Sequence, residues 1–399
     1  MKHYMLNCKD LNLNPVNLIE SDRLSVRILH QENDPENVNR IIIDNHGLVA
    51  EILPSKGLSV GQAQNNKKGI FWEPPAGIPD PDLLDLNSDE IAINGKPHHG
   101  FTFLKTFTSG IELYGLKNWG MPENDKNGRL LPLHGETSNI PVEEVMVTFN
   151  KKERTVEVRG EFFYNSYEGD DDKPWYLRGE RMFRIIRRVV VRQRDEPSIE
   201  LYDIIENITD VPLFADWGYH ITFLPEKGAR IIIPSKRFEN RSGGEVPEDI
   251  ESWQPATDEK TRTEAGIIHK DLKVYTEHGT KINKAIIERP DLGNLLVTFK
   301  PAPYTQSWIC NGGANSSEFT ITKTGAPLFN KNWDGIGIEI GASALDHNGN
   351  TDPAVPVPKP LKPKEKITNS ISVRMINRNT YDDLAREFTK YSSVRTGIL

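Results

Sequence analysis

The segment Gly335–Ala342 reads GIGIEIGA. Successive side chains of an extended strand point to opposite faces, so Ile336, Ile338 and Ile340 share one face. Gly335, Gly337, Glu339 and Gly341 share the other. A glycine within a strand leaves room for a ligand or another chain to come close. Glu339 is thus a carboxylate flanked by open space, which suits a general base. The alternative reading is a carboxylate on the solvent-facing side of an edge strand.

The same two-residue period recurs along the chain: RIIIDN from Arg40, EEVMVTFN from Glu143, RTVEVRGEFFY from Arg154, RMFRIIRRVVVRQR from Arg181 and SIELYDIIENIT from Ser198. It returns in ARIIIPS from Ala229, NLLVTFK from Asn294, SEFTITK from Ser317 and TNSISVRMI from Thr368. Alternation bounded by Gly, Pro, Asn and Asp marks strands, and 30 Gly and 27 Pro supply the turns. Strand after strand with little helix between them predicts an all-β, mostly antiparallel sandwich or barrel. One segment reads as helix, TYDDLAREFTKYSS, with Thr380 as its N-cap. DPDLLDLNSDEIA, from Asp80, is expected to hold a short helical turn. No internal repeat stands out. An irregular lead-in is expected over residues 1–35, and a single domain over residues 36–399.

Composition limits the function. The 399 residues include 57 acids and 49 bases, a net charge of -8, with no concentrated basic block. That argues against a nucleic-acid partner, which needs a basic face. No stretch has the roughly 20 apolar residues of a membrane span. Two cysteines, Cys8 and Cys310, cannot build a disulfide framework. With no signal-peptide pattern at the start, the expectation is a cytoplasmic protein. The oligomeric state is not legible.

There is no Gly-rich phosphate loop, no Cys-x-x-Cys, no His-x-x-x-His spacing around His98, His99 or His134, and no Gly-x-Ser-x-Gly elbow. No metal site is therefore expected. The acidic turn Asp170, Asp171 and Asp172 reads as a solvated loop, with calcium the sharper alternative. Two histidines remain. His134 lies in RLLPLHGETSNIP (Arg129–Pro141), a bend crowded with short polar side chains, and His220 lies in ADWGYHITF beside Trp217 and Tyr219. Each is either a packed, hydrogen-bonded histidine or one presented to a ligand.

In chain order, SKGLSVGQA (Ser55–Ala63), GLKNWGMP (Gly115–Pro122), LHGETSNIP (Leu133–Pro141), DIIENITDVPLFADWGYHITF (Asp203–Phe223) and GIGIEIGA together resemble the aldose 1-epimerase, or galactose mutarotase-like, superfamily. The likeness is greatest to its unassigned aldose-1-epimerase-like branch and spans roughly residues 40–376. It implies a β-supersandwich of mostly antiparallel strands with a short C-terminal helix, binding an aldose in an open cleft. It also implies cofactor-independent interconversion of sugar anomers. By position His220 resembles the family's acid, Glu339 its base and His134 its second, sugar-binding histidine. Ser138 and Asn139 would tie the bend to its own backbone.

The family's Asn-Arg pair ahead of the first histidine is missing. Lys117 and Asn118 stand in its zone, and the family's sugar-binding Asp has no counterpart that can be placed. The unassigned branch often has a basic residue where Glu136 stands. Trp119, Trp217 and Trp333 adjoin the motif residues, where indoles either stack on sugar C–H faces or fill core. The missing Arg leaves open a non-catalytic sugar-binding protein, and the fold leaves open another carbohydrate enzyme such as a lyase.

Overall fold

β-Branched and aromatic residues in period-two runs pack well on a pleated, half-buried surface, and these runs become strands. The computed structural model describes residues 1–8, 16–21, 23–29, 39–73, 91–101, 103–107, 110–125, 128–167, 172–234, 237–240, 262–270, 275–277, 279–301, 306–314, 319–328, 333–342 and 359–392. Among them, two large sheets dominate, and every strand pairing within them is antiparallel. The first runs from the edge strand Lys2–Asn7 through Glu144–Asn150, Thr155–Asn165, Arg181–Arg192 and Ser198–Asn207, then Lys366–Met375, Leu295–Lys300, Thr280–Glu288 and Arg230–Ile232. The second has Trp333–Ala342, Asp216–Phe223 and Gly110–Leu116 side by side near its middle. From there it continues through Ser59–Asn65, Leu48–Leu53, Arg40–Asn45 and Leu24–Leu29 to Val16–Ser21. This is the mostly antiparallel β architecture that the alternation predicts.

The two inner faces share one apolar core. Val156, Val158, Phe162, Ile185, Val189 and Leu201 come from the first sheet; Ile43, Val60, Leu113, Tyr219, Ile221 and Ile338 come from the second. One charged group crosses it. Arg187, fully buried, donates to both carboxylate oxygens of buried Asp203, Nε to Oδ1 at 2.7 Å and a terminal nitrogen to Oδ2 at 3.0 Å. Its other terminal nitrogen donates to the Gly57 carbonyl at 2.9 Å, and the Tyr219 hydroxyl donates to Asp203 Oδ2 at 2.6 Å. Arg187 and Asp203 belong to the first sheet, Tyr219 to the second, so the network fastens one sheet to the other.

The helix Arg378–Ser392 is present where the sequence places one. Its cap differs: Asn377 Oδ1 accepts from the Thr380 N–H at 3.0 Å, so Asn377 caps the helix and Thr380 lies inside it. Tyr381, Leu384, Ala385 and Phe388, one face at helical spacing, pack on Ile232, Ile286 and Leu296. A second, four-residue helix, Phe103–Thr106, was not expected. Residues 80–90 of the expected helical turn lie outside the described ones, and Ile91–Ile93 is a strand.

The first 35 residues are not irregular where they are described. Lys2–Asn7 pairs with Glu144–Asn150 in one sheet, and Val16–Ser21 and Leu24–Leu29 join the other. Leu24, Val26 and Ile28 bury in the core while Ser25 and Arg27 do not, the same period-two rule at work in a segment short enough to overlook. No helix among the described residues is long and apolar enough to cross a membrane.

The Arg187–Asp203 pair generates a stability prediction. Asp203→Leu leaves a buried guanidinium without its carboxylate, which should cost about 3–5 kcal/mol in urea unfolding. Adding Arg187→Met should recover much of that loss. A single substitution costing under about 1 kcal/mol would show that the network does not hold the sheets together.

Candidate active site

His134 sits at a tight bend. It has φ 57° and is followed by Gly135 at φ 70°, two left-handed residues in succession. A non-glycine residue there is strained and persists only when its surroundings enforce it. The surroundings do so. The His134 N–H donates to the Gly120 carbonyl at 3.1 Å, its own carbonyl accepts from Gly115 N–H at 2.9 Å, and Nδ1 lies 2.9 Å from the Trp119 carbonyl. A carbonyl only accepts, so Nδ1 carries the proton and Nε2 of the neutral ring is an acceptor.

His220 and Glu339 are set by register. Glu112, His220 and Glu339 are direct neighbours on the adjacent strands Gly110–Leu116, Asp216–Phe223 and Trp333–Ala342. Directly paired residues point to the same face of an antiparallel sheet. His220 Nε2 lies 3.2 Å from Glu339 Oε1, and the Tyr114 hydroxyl donates to Glu339 Oε2 at 3.4 Å. Thr222 Oγ1 is 3.3 Å from His220 Nδ1. The Thr222 hydroxyl can donate to Nδ1 of the neutral ring or accept from Nδ1–H of the protonated one, and in both cases Nε2–H donates to Glu339.

The structure thus brings His134, His220 and Glu339 into one cluster from three distant segments. The two histidine ring centres are 6.0 Å apart. His134 and His220 are each 5% exposed and Glu339 3%, so the cluster is buried. Aromatic rings wall it: Phe103 lies 4.6 Å from His134 edge-on, Phe107 4.3 Å from His220, and Tyr114 4.6 Å from His134. His220 and Glu339 touch, so a sugar does not fit between them.

The other candidates divide. Trp119 is buried and stacks on Tyr114 at 5.8 Å. Its indole lies over the backbone of Gly218 and Gly341, so a Cβ at either position would overlap it. The space beside Glu339 that the glycines create at 218 and 341 therefore receives the protein's own tryptophan, a correction to the reading of open room for a ligand. Trp217 is corrected too. The period of two puts it on the face opposite His220, in the core with Tyr219, Ile221 and Phe223. The Trp333 side chain lies outside the described residues.

Asn118 is buried, and its amide donates to the Met121 carbonyl at 3.0 Å and the Pro132 carbonyl at 2.8 Å, bracing the loop that holds His134. The Asn139 N–H donates to the Glu136 carbonyl at 2.8 Å, but its side chain turns away from the bend's backbone. Its Oδ1 accepts from Lys56 Nζ and its Nδ2 faces Thr106 Oγ1 at 3.4 Å, while Thr137 Oγ1 donates to the Gly115 carbonyl at 2.9 Å. Ser138 is buried. Lys117 is half-buried and helps hold Glu136 ionised. Burial, the larger effect, pushes the Glu136 carboxyl up, against the Arg129 charge and a hydrogen bond of 3.0 Å from the Tyr164 hydroxyl.

Sequence reasoning missed Tyr114, Glu112, Phe103, Phe107 and Lys56. Glu112 and Tyr114 alternate with Ile111 and Leu113 as Glu339 does with its isoleucines, a signal that was present. The phenylalanines carried none. Among the described residues no group of three or more His, Cys, Asp or Glu could hold a metal. Asp170 and Asp171 of the acidic turn lie outside the described residues. A groove of about 760 Å³ lies elsewhere, bordered by Ser55, Ile140, Arg159, Phe163 and Tyr176, and none of the three clustered residues lines it.

The chain resembles known proteins in two ways. The profile of a family described as "Domain of unknown function (DUF4432)" matches residues 36–308. Comparison with curated sequences finds no match. Among solved structures, a candidate aldose 1-epimerase from Klebsiella pneumoniae is similar at TM-score 0.69 and 15% identity, over 99% of this chain and 96% of that one. A galactose mutarotase-like protein from Clostridium acetobutylicum is similar at TM-score 0.53 and 15% identity, over 90% and 100%. At such identities the likeness concerns the fold, which is galactose mutarotase-like.

The Trp119 packing is testable. Gly218→Ala must displace the indole, because the new methyl would overlap it and also meet the Ile340 carbonyl at 3.1 Å. The expected result is a loss of about 1–3 kcal/mol and a shift in tryptophan emission. Wild-type stability and emission in Gly218→Ala would refute this placement.

Proposed function

We propose that this chain, which belongs to the family described as a domain of unknown function (DUF4432), is an aldose 1-epimerase-like isomerase that interconverts sugar anomers by acid–base catalysis. The observation that carries the reading is the convergence of His134, His220 and Glu339 beside the shared row of Glu112, His220 and Glu339. The galactose mutarotase-like fold supports it.

In this reading Glu339 takes the proton of the anomeric hydroxyl. The bond from the anomeric carbon to the ring oxygen breaks, its electron pair goes to the ring oxygen, and His220 protonates that oxygen. Rotation about one bond and the reverse transfers close the ring on the other face. The two sugar oxygens involved are bonded to the same carbon, so an acid and a base in mutual contact can serve both. The 3.2 Å contact also lets the pair return its proton after each turnover. Nε2 of His134 accepts a sugar hydroxyl and orients the ring. The sugar must enter past Phe103 and Phe107, whose rings pack on both histidines.

A second reading is a sugar-binding protein without turnover. The burial of the His220–Glu339 contact favours it, because each group already satisfies the other.

NMR measurement of anomer exchange across a panel of free aldoses separates the two. Glu339→Gln keeps the shape and removes the base, so exchange should fall a hundredfold or more, about 3 kcal/mol of barrier. Sugar affinity should change far less. Exchange at the wild-type rate in Glu339→Gln would sink the catalytic role. Sugar binding with no exchange in the wild type would favour the second reading.

A further inference from the structure

Lys56 ends the short 3-10 turn Pro54–Lys56 and is fully buried. Its ammonium nitrogen makes two hydrogen bonds, to the Thr106 carbonyl at 2.9 Å and to Asn139 Oδ1. Asn139 Nδ2 in turn faces Thr106 Oγ1 at 3.4 Å, so the three residues close a ring. Each partner leads to the candidate site. Thr106 ends the helix whose Phe103 packs on both histidines, and it is followed by Phe107, which packs on His220. Asn139 belongs to the bend that presents His134.

We propose that Lys56 is the positioning residue of this site. Its side chain fastens the bend carrying His134 to the turn carrying Phe103 and Phe107, and its proton governs how the histidines and the exchange rate respond to alkaline pH. The part about exchange rests on the isomerase reading above.

The donor count supports a proton that leaves easily. An ammonium has three N–H donors and Lys56 makes two hydrogen bonds, whereas a neutral amine has two donors and is fully satisfied there. Burial acts the same way and pushes the amine down to about 8, with the Glu112 charge opposing. Glu112 comes from the strand Gly110–Leu116 and stands directly beside His220 in the row that continues to Glu339. A proton on Lys56 therefore changes the field felt by His220 through Glu112.

Other ionisable groups stand on the elements that Lys56 joins. The turn contributes half-buried Lys105 and the bend contributes His134. Glu136, in the same bend, is held by Tyr164 and Arg129. The partners that touch the amine, a carbonyl and an amide, do not ionise.

The sign follows from linkage. Between about 8 and the ordinary 10.5 the unfolded chain holds a proton that the folded one has lost, so this residue's contribution to stability rises with pH across that window.

The test follows the histidine ring proton signals of the full chain from pH 6 to 10 by NMR, with anomer exchange measured alongside. In the wild type, the signals of His134 and His220 should inflect near pH 8. Lys56→Met should abolish that inflection and lower exchange at least tenfold at pH 7. Asn139→Asp, nearly isosteric, sets a carboxylate beside the amine and should move the inflection upward, so the test stands even where Lys56→Met does not fold. Histidine signals without an inflection near pH 8, or an inflection unchanged in either variant, would overturn the proposal. A wild type that exchanges no aldose would sink the isomerase reading alone, because the histidine titration still decides the role of Lys56.

Discussion

Antiparallel register governs this protein. Three neighbouring strands, Gly110–Leu116, Asp216–Phe223 and Trp333–Ala342, pair so that Glu112, His220 and Glu339 fall in one row and Ile111, Tyr219, Ile221 and Ile338 face the core. A slip of one residue in any of the three would send the carboxylates and the histidine into apolar surroundings and the apolar residues to the site. The cost of burying an uncompensated charge makes such slips prohibitive. The pattern that builds the core therefore also aligns the chemistry.

Burying a cation is costly unless its donors are met, and three buried cations are met in three different ways. Arg187 and Asp203 neutralise each other and add Tyr219 and a backbone carbonyl. Arg289, also buried, spends its donors on the carbonyls of Gly69, Ile70 and Gly293, and desolvation pushes it down to about 10. Lys56 uses a carbonyl and an amide. Only the first is a charge pair. A guanidinium holds its proton through such burial, whereas an amine gives it up more readily, which sets Lys56 apart from the two arginines.

The cluster around His134 joins strain to support. A histidine at positive φ is fixed by three hydrogen bonds, one from the end of the strand Gly110–Leu116 and two from the loop after it, and that loop is itself braced by the Asn118 amide. Trp119 supplies both the carbonyl that fixes the His134 tautomer and the indole that covers Gly218 and Gly341. One residue thus orients the histidine and seals the sheet face beside Glu339. A second layer of aromatic rings packs around the His220–Glu339 contact, where a low local dielectric strengthens the hydrogen bond.

The sequence by itself determined the strands, because a period of two is a local property written in consecutive residues. It also determined the faces: Ile336, Ile338 and Ile340 bury together as GIGIEIGA requires, and the C-terminal helix follows from its own apolar stripe. His134, His220 and Glu339 were legible as polar residues in settings that ask for an explanation. What fills the space beside a glycine was not legible, because Trp119 and Gly341 are more than two hundred positions apart. Nor was the contact between His220 and Glu339, which depends on two strands pairing in one register out of several. The face taken by Trp217 could be read from alternation, but its distance from the site needed the sheet. Lys56 was invisible as a chemical group because its partners, Thr106 and Asn139, arrive from separate segments. Local periodicity is decided by neighbours in the chain; burial, partners and proton affinity are decided by neighbours in space, and only the folded structure fixes those.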